Sequence, residues 1–269
     1  MAKITFELDG KMVEAEEGET IWQVADRHKT KIPHLCWLPE PGYRADGNCR
    51  ACMVEIEGER VLAASCQRIP SNGMKVKTAS ERAKKSREMV FELLLADQPA
   101  KADSHDPNSK FWNWVGAMNV KPESRFPRAD KPEADYSHSA IAVNLDACIK
   151  CGLCVRACRE VQHNDVIGMA YRGHNSVPVF DFDAQMGEST CVACGECVQA
   201  CPTGALMESN LIDKSNGKRV HFEDRTVDTL CPFCGVGCQT TAYVKDDKIL
   251  YIDGRDGPAN ENRLCVKGR

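Results

Sequence analysis

The sequence predicts an α+β protein assembled from several small domains, and three observations lead to this fold class. Within the first 80 positions, short strand-like segments, the first of which alternates apolar and polar residues, accompany one predicted helix. One spacing of four cysteines occurs twice, 43 residues apart, which indicates a duplicated module. A hairpin pattern lies near the last residues. The 269 residues therefore divide into units too short to depend on an apolar core alone.

The first unit begins with a predicted β-hairpin and a helix. Residues 3–8 alternate apolar and polar, an Asp-Gly turn follows, and residues 12–15 resume the strand. A helix is predicted over about residues 19–28, with Thr20 as its N-cap. After a proline- and glycine-rich cysteine loop come two more predicted strands, at 53–57 and 60–65. This order gives the outline of a β-grasp domain, which we assign to residues 1–79.

Residues 80–139 are predicted to form one helix and a linker. Ser80 is placed to cap a helix that ends near Ala96. The predicted buried stripe consists of Ala83, Met89, Val90, Leu93 and Leu94. The predicted solvated basic face consists of Arg82, Lys84, Lys85 and Arg87. From Asp97 the helical periodicity stops, and we expect an aromatic cluster to anchor the linker to a neighbouring surface; its members are Phe111, Trp112 and Trp114.

The duplicated module is assigned to residues 140–210 and a polar linker to residues 211–227. A last small β-rich domain is assigned to residues 228–269. Within it, residues 242–244 and 249–252 are predicted to be the two strands of a hairpin.

All sixteen cysteines fall into four groups of four along the chain. The groups are Cys36, Cys49, Cys52 and Cys66; Cys148, Cys151, Cys154 and Cys158; Cys191, Cys194, Cys197 and Cys201; and Cys231, Cys234, Cys238 and Cys265. An even count could also form disulfides in a secreted protein. However, the N-terminus enters a strand without a signal-peptide or twin-arginine pattern. We therefore expect a cytoplasmic protein whose thiols bind metal.

Charge and hydropathy argue against two classes of partner. The net charge of −4 and the isoelectric point near 6.0 give no basic footprint for nucleic acid. No apolar run approaches the roughly 20 residues that cross a bilayer, so no membrane span is predicted.

The first group has the spacing C-x12-C-x2-C-x13-C. Four thiolates converging on one loop suit a 2Fe-2S cluster on Cys36, Cys49, Cys52 and Cys66, although the plant-type spacing C-x4-C-x2-C does not fit. Gly42 and Gly47 are expected to supply the left-handed backbone of the loop. A structural zinc ion is the alternative. The segment Gly-Asn-Cys-Arg-Ala-Cys-Met-Val-Glu at residues 47–55 resembles the 2Fe-2S domain of the complex I 75-kDa subunit, hydrogenases and NAD-linked formate dehydrogenases.

The second and third groups share the spacing C-x2-C-x2-C-x3-C. In two-cluster ferredoxins with this spacing, the fourth cysteine of each run ligates the other cluster. We therefore predict one 4Fe-4S cluster on Cys148, Cys151, Cys154 and Cys201, and a second on Cys191, Cys194, Cys197 and Cys158. Zinc is the disfavoured alternative, because eight thiolates in this register suit two cubanes better than isolated tetrahedra.

The fourth group has the spacing C-x2-C-x3-C-x26-C, whose first pair could also open a zinc ribbon. Residues 265–269, Cys-Val-Lys-Gly-Arg, resemble the end of the 4Fe-4S domain that begins the catalytic part of molybdenum or tungsten bis-pterin enzymes, particularly formate dehydrogenases. This resemblance implies a third 4Fe-4S cluster on Cys231, Cys234, Cys238 and Cys265. It also implies that Lys267 lies between cluster and pterin as an electron relay. Without that motif, Lys267 would be an ordinary solvated lysine.

The resemblance extends over nearly the whole chain, most weakly from residue 100 to 139. It implies the N-terminal electron-transfer arm of the α subunit of a cytoplasmic, NAD-linked formate dehydrogenase. The implied catalytic portion holds molybdenum or tungsten bis-molybdopterin guanine dinucleotide, and we expect it beyond Arg269 or in a partner chain. A partner subunit carrying FMN and NAD is also implied. No residue of this segment is expected to act on the substrate.

One cluster found in many members of these families is predicted to be missing. They often carry a further 4Fe-4S centre, bound by one histidine and three cysteines, after the helix that follows the first domain. Here Gln98 stands at the histidine position, and the sequence has no cysteine between Cys66 and Cys148. Either the 97–139 stretch closes the resulting gap, or the 2Fe-2S centre passes electrons elsewhere.

Two rival functions remain open. The first is an electron-transfer subunit of a hydrogenase or an NADH:quinone oxidoreductase, because those families share the first three sites. The second is a zinc-stabilised assembly protein without redox activity. None of the seven histidines has the spacing of a triad or of a zinc protease motif, so we expect them to be surface or sulfur-adjacent residues rather than ligands.

Overall fold

The computed structural model describes residues 3–121, 125–128 and 132–269, and the chain divides into two compact units. The first unit runs to Trp37 and takes in Arg44–Ala96 and Asn113–Pro127. The second unit takes in Leu38–Tyr43, Asp97–Trp112 and Arg128–Arg269. A short piece of the first cysteine loop thus belongs to the second unit.

A five-stranded sheet forms the frame of the first unit. Its strands are β1 Ile4–Leu8, β2 Lys11–Ala15, β3 Met53–Ile56, β4 Ala63–Ala64 and β5 Lys75–Lys77, in the order β2-β1-β5-β3-β4. Strand β1 pairs antiparallel with β2 across the predicted turn and parallel with β5. The sequence does not indicate β5, because Lys-Val-Lys is too short to show alternation. Its central place completes the predicted β-grasp arrangement.

Helix α1, Ile21–Arg27, forms behind the predicted cap. The Gln23 N–H donates to Thr20 Oγ1 at 3.3 Å, and the Thr20 N–H donates to Gln23 Oε1 at 2.9 Å. This reciprocal pair is a capping box, which satisfies two backbone donors at the helix start. Trp22 Nε1 donates to the Ile32 carbonyl at 3.0 Å and so fixes the helix to the beginning of the cysteine loop.

Helix α2, Glu81–Ala96, begins after Ser80 as predicted, but its buried face differs from the predicted stripe. The buried side chains are Ala83, Arg87, Phe91 and Leu95, which recur every four residues. The prediction is wrong at Leu93, which is 49% exposed, and at Arg87, which is only 7% exposed. The stripe is misplaced because a charged residue stands inside the apolar face.

The predicted linker contains a helix, α3, over Lys110–Ala117. Phe111 and Trp112 are buried, and the Phe111 N–H donates to the Pro202 carbonyl at 2.9 Å. Phe111 thus contacts the residue that follows the last cysteine of the third group, whereas Trp114 is only half-buried. None of the helices among the described residues has the length and apolar character needed to span a membrane.

The duplicated module consists of two small sheets and two short helices. Strand β6, Ile141–Val143, pairs with β9, Leu206–Glu208, while β7, Ile167–Ala170, pairs with β8, Val177–Phe180; both pairs are antiparallel. Helix α4 spans Leu153–Arg156 and continues as a π-helical turn over Ala157–Val161, and helix α5 spans Glu196–Ala200. A left-handed glycine precedes each helix, Gly152 before α4 and Gly195 before α5.

The last part of the second unit is richer in strands than predicted. A small hairpin, β10 Ile212–Asp213 with β11 Lys218–Arg219, lies within the predicted polar linker. A three-stranded sheet follows, with β12 Arg225–Leu230, β13 Gln239–Lys245 and β14 Lys248–Gly254 in that order. The β13–β14 hairpin agrees with the prediction. Strand β12 is not among the predicted strands. All of its side chains are exposed, so it has no alternation of buried and exposed residues.

Candidate metal centres

The first cysteine group forms a buried cluster of thiols in the first unit. Cys36, Cys52 and Cys66 are buried and Cys49 is half-buried. The Cys36 thiol hydrogen-bonds to Cys49, and the Cys66 thiol to Cys52. These hydrogen bonds lower the pKa of Cys49 and of Cys52 to about 7 against the cost of burial. The four sulfurs therefore meet in one place, and two of them ionise more readily than ordinary thiols.

Three residues of the first cysteine loop have left-handed backbone conformations. Gly47 has φ +65°, as predicted, and a Cβ there would lie 2.5 Å from Gln67 Oε1. Arg50, between Cys49 and Cys52, has φ +56°, a left-handed conformation that is uncommon for a residue other than glycine. Gly42, the other glycine singled out in the sequence, also has a positive φ of 84°.

Arg87 is a charged residue of this region whose environment the sequence does not reveal. Its Nε donates to the Met53 carbonyl at 2.8 Å and its Nη2 to the Thr78 carbonyl at 2.5 Å. Burial lowers the pKa of Arg87, while the nearby Cys52 thiol acts in the opposite direction. A buried cation thus supports the strand that follows Cys52. Arg87 lies four residues after Ala83 and four residues before Phe91, and this spacing is the signal that could have revealed the burial of its side chain.

The first cavity of the duplicated module collects cysteines from both of its halves. Cys148, Cys151 and Cys154 line it together with Cys201, and its empty volume is about 430 Å³. The Lys150 N–H donates to Cys148 Sγ at 3.3 Å. Burial raises the pKa of Cys148 to about 11 and raises that of Cys154 as well. Buried thiols of this kind ionise only when positive charge compensates them, which iron would supply.

The second cavity has the reciprocal composition. Cys191, Cys194 and Cys197 line it together with Cys158, and its empty volume is about 310 Å³. Three donors face its sulfurs: the Val166 N–H to Cys158 at 3.3 Å, the Ala193 N–H to Cys191 at 3.4 Å, and Asn164 Nδ2 to Cys194 at 3.7 Å. Burial raises the pKa of Cys197.

The two halves repeat one backbone geometry around these cavities. Lys150 and Ala193 occupy equivalent positions and both have φ +56°, while Gly152 and Gly195 both have φ +73°. Each left-handed pair lets three cysteines of one run point into the same cavity. The internal repeat predicted from the 43-residue offset is therefore present in three dimensions.

The fourth group lies on the β12–β13 connection and on the last residues. Cys231 and Cys238 are half-buried, whereas Cys234 and Cys265 are exposed. The Cys231 N–H donates to the Cys238 carbonyl at 2.9 Å. Backbone N–H groups of Gly268 and Lys267 lower the pKa of Cys265. The side chain of Lys267 is exposed.

The donor sets fit iron-sulfur clusters. Each group offers four thiols, and thiolates are the ligands that these clusters use. The two cavities of the duplicated module are lined by apolar side chains and by N–H groups aimed at sulfur, which are the features that tune such clusters. Among the residues with described positions, no three His, Cys, Asp or Glu side chains are arranged to hold a single metal ion.

Gln98, at the position of the missing histidine, has a structural contact. Its side chain is 5% exposed, and Nε2 donates to the Ala147 carbonyl at 3.0 Å, directly before Cys148. Its Oε1 has no hydrogen-bond partner among the described residues. The Gln98 side chain thus holds the backbone directly before Cys148, which lines the first cavity of the duplicated module.

Comparison with known protein families divides the chain into three parts. Residues 1–81 match the 2Fe-2S iron-sulfur cluster binding domain. Residues 147–205 match the 4Fe-4S dicluster domain, and residues 224–269 match the molybdopterin oxidoreductase Fe4S4 domain. The chain is an array of three iron-sulfur domains. The predicted fold class and order of domains are confirmed.

The relatives of this iron-sulfur protein are oxidoreductases. It is 32% identical to an NADH-quinone oxidoreductase subunit of Rhizobium meliloti over 100% of its own length and 31% of that protein. It is 28% identical to "Putative formate dehydrogenase YrhE" of Bacillus subtilis over 99% of its length and 31% of that protein. It is also 28% identical to the NADPH-Fe(3+) oxidoreductase subunit alpha of Geobacter sulfurreducens over 99% of its length and 31% of that protein.

A solved structure has a similar fold over most of this chain. A chain of an NAD+-reducing [NiFe]-hydrogenase, crystallised in the H2-reduced state, superposes with a TM-score of 0.68 at 28% identity. The match covers 77% of this chain and 88% of the hydrogenase chain. By contrast, the chain spans only about a third of the length of the curated relatives named above. The chain therefore corresponds to most of the hydrogenase chain but to a much smaller part of the curated relatives.

Proposed function

We propose that this chain is the electron-transfer region of an NAD-linked formate dehydrogenase. The observation that carries the proposal is the match of residues 224–269 to the Fe4S4 domain of molybdopterin oxidoreductases, directly after the 2Fe-2S and dicluster domains. Formate dehydrogenase relatives match this order over nearly the whole chain. In this role the chain carries electrons away from formate oxidation toward a subunit that holds FMN and NAD.

The proposed ligands follow the four cysteine groups, with the fourth cysteines of the middle groups exchanged. One 2Fe-2S cluster is held by Cys36, Cys49, Cys52 and Cys66. Three 4Fe-4S clusters are held by Cys148, Cys151, Cys154 and Cys201; by Cys191, Cys194, Cys197 and Cys158; and by Cys231, Cys234, Cys238 and Cys265. Bound clusters supply one-electron transfer. The cavity walls of the two middle sites support this exchange, since each contains three cysteines of one run and one of the other.

The protein's own groups set the properties of these sites. Thiolates fix each cluster, and the N–H groups of Lys150, Val166 and Ala193 stabilise negative charge on sulfur. Lys267, two residues beyond the last ligand, is the proposed relay residue toward a pterin. The catalytic portion with molybdenum or tungsten bis-molybdopterin guanine dinucleotide and the flavin subunit are the proposed partners, and the proposed location is the cytoplasm.

The test is formate-dependent reduction of NAD by the complete enzyme. We expect Lys267→Ala to lower this rate at least about tenfold with its iron content unchanged. Lys248→Ala, which removes an exposed lysine of β14, serves as the control. An unchanged rate in Lys267→Ala removes this residue from the electron path. A complete enzyme that holds its clusters but does not oxidise formate contradicts the proposed substrate.

A second candidate is an electron-transfer subunit of a hydrogenase or an NADH:quinone oxidoreductase. Two observations favour it: the 32% identity to the Rhizobium meliloti relative and the superposition on a chain of the NAD+-reducing hydrogenase. Clusters that are reduced by hydrogen but not by formate would support the hydrogenase subunit. Clusters that are reduced by NADH but not by formate, together with electron transfer to quinone, would support the NADH:quinone oxidoreductase subunit. Electron paramagnetic resonance of the reduced protein provides the readout.

A further inference from the structure

The side chain of Arg269 joins the last domain to the third cysteine group. It is only 8% exposed. Its Nε donates to the Cys194 carbonyl at 2.8 Å, its Nη1 to Asp253 Oδ1 at 2.8 Å, and its Nη2 to Gln199 Oε1 at 2.6 Å. One guanidinium therefore contacts the loop that carries Cys194, helix α5 and strand β14.

The chain around Arg269 is shaped to receive it. Gly195 follows Cys194 with φ +73°, and a Cβ at this position would overlap Arg269 Cδ. Gln199 has a second contact with the same segment, because its Nε2 donates to the Asn262 carbonyl at 3.0 Å. Helix α5 thus holds the last segment on both sides of Cys265.

Two carboxyl groups lie close to the Arg269 guanidinium. Besides Asp253, the guanidinium faces Glu196, whose Oε2 lies 4.0 Å from Arg269 Nη2. Glu196 is 1% exposed, and its Oε1 accepts a hydrogen bond from the Tyr43 hydroxyl at 2.7 Å. Without Arg269, both carboxyl groups would lose a cation in a region shielded from water.

This contact connects two different cysteine groups. Cys194 belongs to the third group and Cys265 to the fourth, and Arg269 is four residues beyond Cys265. The hydrogen bond from Arg269 to the Cys194 carbonyl therefore connects two proposed ligands, Cys265 and Cys194, through a short stretch of chain. Because the guanidinium is planar and makes several bonds in fixed directions, it also defines the relative position of both loops.

We propose that Arg269 is a positioning residue for electron transfer between the clusters of the fourth and third cysteine groups. It holds residues 265–269 against α5 and keeps a permanent positive charge beside the Cys194 loop. The proposal rests on the proposed ligation of both clusters and is independent of formate as the substrate. Reduction adds negative charge to a cluster, so a nearby cation favours the reduced form and raises the reduction potential.

The experiment compares Arg269→Gln, Arg269→Lys and Arg225→Gln in the complete, cluster-loaded enzyme. Arg225 of strand β12 is the matched control, since it forms an exposed ion pair with Asp247 in the turn between β13 and β14. Iron and acid-labile sulfide are measured first. In redox titrations followed by electron paramagnetic resonance, Arg269→Gln should lower the midpoint potential of the third-group cluster and weaken its magnetic interaction with the fourth-group cluster. Arg269→Lys should retain the potential, and Arg225→Gln should change neither property.

Several results would overturn the proposal. An unchanged potential and magnetic interaction in a fully loaded Arg269→Gln protein contradict it, and an equal fall of the potential in Arg269→Lys contradicts the role of charge. If Arg269→Gln does not accumulate, Gln199→Leu removes one partner of Arg269 and keeps the cation. That variant should weaken the magnetic interaction, and an unchanged interaction again counts against the proposal. Absence of iron from the unmodified protein refutes the proposed ligation instead.

Discussion

Buried charge is the most consequential feature at the scale of single residues. Arg87 lies in an apolar helix face and satisfies two backbone carbonyls, those of Met53 and Thr78. Removing a buried donor leaves its acceptors without partners, and this costs more than the hydrogen bond itself contributes. Arg87 therefore joins helix α2 to the strand after Cys52 and to the residue that follows β5, without being a ligand.

We expect Arg87→Met to lower the free energy of unfolding by about 2 to 4 kcal/mol, because one buried and one partly buried carbonyl lose their donor. Denaturant unfolding of the cluster-loaded protein, followed by visible absorbance of the first unit's cluster, measures this change. Lys85→Met on the exposed face of the same helix is the control and should change stability by less than about 0.5 kcal/mol. Equal losses in both variants would show that the burial of Arg87 is unimportant.

Glu208 gives the protein a pH-dependent stability. It lines a partly open pocket together with Tyr251 and Arg269. Burial and the nearby Asp253 raise the pKa of Glu208 to about 7, although Arg269 and Arg219 act in the opposite direction. The folded state therefore binds this proton more tightly than the unfolded state. The contribution of Glu208 to the free energy of unfolding is therefore expected to fall as the pH rises from about 4.5 to about 7.

We expect Glu208→Gln to raise the free energy of unfolding at pH 8 by at most about 3 kcal/mol and to have little effect near pH 4.5. Thermal unfolding of the loaded protein at both pH values measures the difference. Glu188→Gln, at an exposed position, is the control. A stabilisation that is equal at both pH values would contradict the assignment to this carboxyl group.

At the scale of elements, the exchange of fourth cysteines determines how the two short helices work together. Cys158 lies in the π-helical turn after α4, and Cys201 follows α5 directly. Each cysteine lines the cavity formed by the opposite run. Each cavity therefore needs a cysteine from the end of the other run's helix, so neither cavity is complete without both helices.

This exchange predicts which signal each substitution removes. Cys201→Ser should alter the electron paramagnetic resonance signal of the Cys148 group and leave that of the Cys191 group unchanged. Cys158→Ser should have the reciprocal effect. Iron analysis of both variants shows whether the altered cluster is lost or remains with an oxygen ligand. If each substitution altered the signal of its own run, the exchanged ligation would be wrong.

Much of this architecture could be predicted because cysteine spacing and turn chemistry are local signals. The Asp-Gly hairpin, the Thr20 cap, the left-handed Gly47 and the internal repeat are all found where the sequence places them. Strands β5 and β12 could not be predicted, because one is three residues long and the other is exposed on both faces. The partners of Arg87 and Arg269 could not be predicted either, since both arise from tertiary packing between distant segments.

At the scale of the whole molecule, we expect folding of the two units to depend on bound metal to different extents. The first unit has a five-stranded sheet with buried side chains such as Phe6, Val54 and Val76. In the duplicated module, helices α4 and α5 span four and five residues, which is too short for helices to persist without tertiary support. Cluster binding should therefore contribute most to folding in the second unit.

Anaerobic removal of iron should consequently abolish hydrogen-exchange protection of α4 and α5 while the central strands β1 and β5 keep part of theirs. Mass spectrometry of peptides from both units measures this difference. Restoring iron and sulfide should restore protection, which is the control for irreversible damage. Full protection of α4 and α5 in the iron-free protein would mean that the module folds on its own.

The reciprocal cavities also bear on how such a module could arise. Each repeat supplies three thiols to one cavity and a single thiol to the other. One repeat alone could complete neither cavity, whereas two identical copies facing each other could complete both. A forerunner with only one repeat would have worked only as a pair, and fusing two copies into one polypeptide would have made that pairing permanent.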